Sequence, residues 1–89
     1  MSLTPRQKLS AAIARVSDPA QCIAPYFGAI LRGLVRREMS PEMCAAMEAM
    51  GMPPSMAVTK DGLLFWASKY VETTSNVDLA MALLHETMH

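Results

Sequence analysis

Leu9, Ala12, Ile13 and Val16 stand three and four residues apart, the spacing that puts side chains on one face of a helix. Thr4-Pro5 precedes them, a capping side chain followed by a first-turn proline whose missing N–H costs nothing there, and predicts a helix over 5–16. Asp18-Pro19 repeats the start signal. Pro25 would break a continuous helix, because its ring clashes with the preceding turn and it lacks an N–H. The expectation is a turn at 19–24 and a second helix over 25–38. Ser40-Pro41-Glu42 opens a third helix over 41–50, and Gly51 closes it.

The pattern changes at Met52-Pro53-Pro54-Ser55, which cannot be helical. In SMAVTKDGLLFWA two apolar runs flank Asp61-Gly62, a pair that favours a two-residue type I′ turn. That turn sets a register: Lys60 faces Leu63, Thr59 faces Leu64, Val58 faces Phe65 and Ala57 faces Trp66, so Val58 and Phe65 share a face. A helix from Asp61 through Tyr70 is the competing reading. Residues 67–73 read as a short helix or turn. Ser75-Asn76-Val77-Asp78 is a capping box that opens a helix from 76 to the end. The fold class expected is α+β, a mostly helical small domain with one β-hairpin and a C-terminal helix. Residues 1–89 form one domain, with 1–51 a helical lead-in and 52–89 the hairpin plus the last helix.

On that last helix Val77, Leu79, Ala80, Met81, Ala82, Leu83, Leu84 and Met88 cover most of the circumference. A helix apolar nearly all round is expected to be buried. Its polar arc, Asp78, His85 and His89 with Glu86 to one side, should then face protein or a cleft.

Composition narrows the function classes. A 52% hydrophobic fraction can build a core, and eight Lys+Arg against eight Asp+Glu leave no field to draw in nucleic acid or a membrane surface. Arg15, Arg32, Arg36 and Arg37 read as a solvated basic face. Cys22 and Cys44 have no C-x-x-C spacing and read as free thiols in a reducing compartment. MSLTPRQKLS has no apolar leader core, and no run approaches the ~18 apolar residues of a membrane span, so a cytoplasmic protein is expected. Among nine methionines, Met39, Met43, Met47 and Met50 recur at helical spacing, as core filler or as an adaptable contact surface.

The chemistry-bearing stretch is LLHETMH, where His85, Glu86 and His89 spell H-E-x-x-H. Neutral imidazoles four apart on a helix can approach one zinc ion. The carboxylate beside the first stays off the metal and takes a proton from metal-bound water.

With the hairpin before it, MPPSMAVTKDGLLFWASKYVETTSNVDLAMALLHETMH resembles the zincin-like metallopeptidase domain that stands N-terminal to a von Willebrand factor A-like domain in bacterial proteins. QKLSAAIARV and FGAILRGL fit that family's helical lead-in more loosely. The resemblance implies a truncated zincin-like architecture with an edge strand beside the cleft. It also implies His85 and His89 as zinc ligands, Glu86 as the catalytic residue, and partnership with a C-terminal von Willebrand A-like domain and an AAA-type ATPase. The family pattern continues past the second histidine with a further ligand, whereas this sequence stops at His89, so a domain inactive as it stands is expected. Asp78 does not supply the third ligand, since seven residues at ~1.5 Å rise set it about 10 Å from His85, away from His89. Glu72, Cys22, Cys44 and the terminal carboxylate remain open. The alternative is a small helical interaction module, dimeric through its Met-rich third helix and apolar last helix, with incidental histidines.

Overall fold

The computed structural model describes residues 3–18 and 25–87. Five helices and a three-stranded sheet follow one another as α1 (Pro5–Ser17), α2 (Pro25–Gly33), β1 (Val35–Glu38), α3 (Pro41–Ala49), β2 (Met56–Val58), β3 (Leu63–Trp66), α4 (Ser68–Thr73) and α5 (Asn76–Thr87). The chain is a small, mostly helical α+β domain. The turn expected at 19–24 lies outside the described residues.

Capping starts α1, α3 and α5 where expected. The Thr4 hydroxyl accepts from the Gln7 N–H at 3.2 Å while the Gln7 side chain accepts from the Thr4 N–H at 3.0 Å, a reciprocal box on the first turn of α1. Ser40 accepts from the Met43 N–H, and Ser75 from the Asp78 N–H. Gly51, at φ +76°, stops α3: its N–H donates to the Glu48 carbonyl and the Met52 N–H donates to the Met47 carbonyl. This pair of bonds satisfies carbonyls that the ending helix leaves without partners.

The second helix does not reach residue 38. It ends at Gly33, and 35–38 form β1, parallel to β3. Leu31, Leu34 and Val35 keep a helical spacing, but pairing with a strand 28 residues downstream overrides it. The Val35 N–H donates to the Gly62 carbonyl at 3.0 Å, and the Met39 N–H to the Trp66 carbonyl at 2.8 Å.

The hairpin exists, with a register one residue away from the one expected. Met56 faces Trp66, Ala57 faces Phe65 and Val58 faces Leu64. Its loop holds three residues, Lys60 to Gly62. The Thr59 N–H donates to the Leu63 carbonyl, and the Gly62 N–H to the Thr59 carbonyl. A type I′ turn needs a positive φ at Asp61 as well as Gly62, and of the two only Gly62 has one, at +80°. The Thr59 hydroxyl, which accepts from the Leu63 N–H at 3.2 Å, stabilises the longer loop. A one-residue slip exchanges the faces: Val58 now lies beside Leu64, and Phe65 points away from both.

The sheet order is β1-β3-β2. Met56, Leu64 and Trp66 turn one face of it into the core, where they meet Leu9, Ile13 and Val16 of α1, Leu31 of α2, Val71 of α4, and Leu79 and Leu83 of α5. The Arg6 guanidinium sits 5.8 Å from the centre of the Trp66 ring. By strand alternation Val35, Arg37, Ala57, Leu63 and Phe65 occupy the opposite face, and none of them is buried.

Candidate functional site

Helix α5 has two faces of different character. Leu79 and Leu83, one turn apart, are fully buried. Val77 at 73% and Met81 at 63% exposure, with Asp78 and His85, form the outer stripe. The expectation of burial all round is corrected: the core covers one side of α5, and Asp78 and His85 of the polar arc face outward.

Helical geometry explains what becomes of the motif. His85 follows Leu83 by two residues, about 200° around the axis, and is exposed in the last turn. Glu86 follows Leu83 by three, about 60° short of a full turn, so it flanks the buried face and is half-buried. His89, the second histidine of the motif, lies outside the described residues. Strand β2 is an edge of the sheet, antiparallel to β3, and packs against α5.

Of the residues considered as a third ligand, Glu72 shares a surface cleft with Lys8 and Asn76. Asn76 is the first residue of α5, nine residues and about 13 Å along the axis from His85. Cys44 lines a groove between α3 and α4. Cys22 and the terminal carboxylate lie outside the described residues. Among the described residues no three His, Cys, Asp or Glu side chains stand together as a metal-holding group. On α5 the described part of the motif is thus an exposed imidazole next to a half-buried carboxylate.

A second surface was only half legible in the sequence. Helix α3 contributes no buried residue. Of the four methionines at helical spacing only Met39, in the linker before α3, is buried. Met47 is half-buried, Met43 stands at 36% and Met50 at 66% exposure, so the stripe on α3 is not core filler. With α4 it bounds a groove of about 550 Å³, whose walls include Met39, Pro41, Cys44, Ala67 and Tyr70. The spacing of the methionines marked an apolar face, but nothing local told whether the core or solvent would meet it.

No helix among the described residues is long and apolar enough to cross a membrane. Comparison with protein-family models, with curated proteins and with solved structures gives no match.

Proposed function

We propose that α5 is the ligand-bearing helix of a zinc-hydrolase-type site acting on peptide bonds, with His85 and His89 as metal ligands and Glu86 as the general base. The observation that carries this reading is the placement of His85 on an open stripe beside Val77 and Met81, with Glu86 next to it at the edge of the core. An exposed imidazole flanked by exposed apolar side chains suits a half-site that a further protein surface covers. The edge strand β2 against α5 suits an extended substrate backbone.

In such a site zinc supplies Lewis acidity, lowering the pKa of bound water to about 7. The chain's own part is narrower. Glu86 takes the proton of the attacking water and returns it to the leaving amine, and its half-buried position limits the directions its carboxylate can take. Catalytic zinc sites use three protein ligands, so the pair of histidines needs a further donor before turnover, from this chain or from a second one. By the resemblance stated above, a von Willebrand A-like domain and an AAA-type ATPase are the partners proposed.

Elemental analysis after equilibration with limiting zinc tests this. The wild-type chain and Glu86→Gln should bind zinc alike, weakly while the further donor is missing and near one per chain once it is supplied, and His85→Ala should bind less than either. Equal zinc in wild type and His85→Ala overturns the reading.

A second reading, a homodimeric interaction module, is favoured by α3, a helix with no buried residue. It expects a dimer whose sedimentation is unchanged by chelator and by His85→Ala.

A further inference from the structure

A separate cleft of about 460 Å³ lies between α1 and the junction of α2 with β1, lined by Ser10, Ile13, Ser17, Asp18, Arg32 and Arg36. Its volume falls in the range of small-ligand sites, roughly 300–1,000 Å³. The two cations come from different elements: Arg32 is in the last turn of α2, and Arg36 is the second residue of β1. Parallel pairing sets Arg36 beside Leu64, on the core-facing side of the sheet, and its side chain crosses to α1. There Nη1 donates to the Ser10 hydroxyl at 3.0 Å.

The partner of Arg36 is therefore a neutral hydroxyl. Among the described residues no carboxylate forms an ion pair with Arg32 or Arg36, and Asp18, which also lines the cleft, has a contact of its own. A guanidinium carries five N–H donors, and Arg36 uses one of them here. Ser10 accepts that bond, which leaves its own proton to donate. Ser17, 95% buried by its 5% exposure, adds a hydroxyl whose present bond to the Ala14 carbonyl is long, at 3.4 Å. Ile13 supplies an apolar wall. Arg37, the next residue of the strand, points to the opposite face, so the basic residues do not make one continuous patch for an extended polyanion.

Two guanidinium forks, a free hydroxyl proton and an apolar wall match one kind of ligand. We propose that this cleft binds a small phosphomonoester, with Arg32 and Arg36 on the phosphoryl oxygens, Ser10 donating a third bond, and the organic group against Ile13. Planar forks suit phosphate because each can meet two oxygens at once.

The test is an NMR titration of the chain with inorganic phosphate and with phenyl phosphate, at constant ionic strength made up with chloride. Both probes should shift the Arg32 and Arg36 side-chain N–H signals saturably, and phenyl phosphate should also shift the Ile13 methyls. Losing one fork should weaken binding by about tenfold in Arg36→Gln. Arg37→Gln, of equal charge change, should stay within about twofold. Arg32→Gln is the second variant, since Arg32 is exposed and its loss leaves the fold intact if Arg36→Gln does not. Shifts reproduced by chloride alone, or equal weakening by Arg37→Gln, overturn the proposal. Phosphatidic acid vesicles as a further arm tell a lipid-borne phosphomonoester from a soluble one: pelleting with these but not with vesicles of neutral lipid assigns the lipid source, and no pelleting assigns the soluble one.

Discussion

Lys8 shows how one side chain ties distant parts of this fold. From α1 its ammonium donates to the carbonyls of Glu72 and Thr74, at the end of α4. Those carbonyls carry the negative end of the helix dipole and have no partner within the helix. A charge-assisted bond to a half-buried group contributes more than a neutral surface one, and about 1 kcal/mol is a fair magnitude after solvent screening. Lys8→Met keeps the aliphatic stem and removes the donor, so it should lower the urea midpoint by roughly 0.3–1 M at unchanged slope. An unchanged midpoint would show the bond to be energetically idle. The local counterparts of this contact were legible: Thr4, Ser40 and Ser75 each cap a helix three residues ahead, and Gly51 ends one. The partners of Lys8 are 64 and 66 residues away, and no spacing rule reaches that far.

Among whole elements, short-range signals failed where a long-range partner decided. Val35 to Glu38 could have continued a helix, and they became a strand because β3 offers a free edge. The hairpin was placed correctly, but its register hung on one loop residue, and the Thr59 hydroxyl bonded to the Leu63 N–H helps hold the longer loop. Helix α3 is the opposite case, an element whose local signals suffice and whose tertiary support is slight. Because none of its residues is fully buried, most of its stability is its own. At Gly51 an added Cβ meets nothing within 4 Å, so Gly51→Ala is purely a conformational penalty at φ +76°. That penalty, about 1 kcal/mol, should speed hydrogen exchange of α3 amides about fivefold while the global unfolding midpoint stays put. A matching loss of global stability would mean that α3 is coupled to the core after all.

For the molecule as a whole, coverage decides which residues can act. The protein measures 41 × 35 × 19 Å, and its thin axis is close to two packed layers of about 10 Å each. Helices cover one face of the sheet, so each helix in that layer keeps an outer side. The sequence of α5 cannot report this: its apolar residues run nearly all round, and only the position of the sheet makes Leu83 inner and His85 outer. The motif's existence was legible, while the outward aim of His85 was a property of the layer. The consequence is testable. Leu83→Ala removes a fully buried side chain, at about 2–5 kcal/mol against a total that for domains of this kind is roughly 5–15 kcal/mol, so its thermal midpoint should fall by about 10 °C or more. Met81→Ala, two residues away on the outer stripe, should stay within about 0.5 kcal/mol of wild type. If both hold, α5 is anchored by one face and free to work with the other. Loss of zinc in His85→Ala would then report on ligation and not on unfolding. If Met81→Ala proves as damaging as Leu83→Ala, the outer stripe is already covered, as a dimer through α5 would require, and a metal reading of His85 would have to accommodate that second chain.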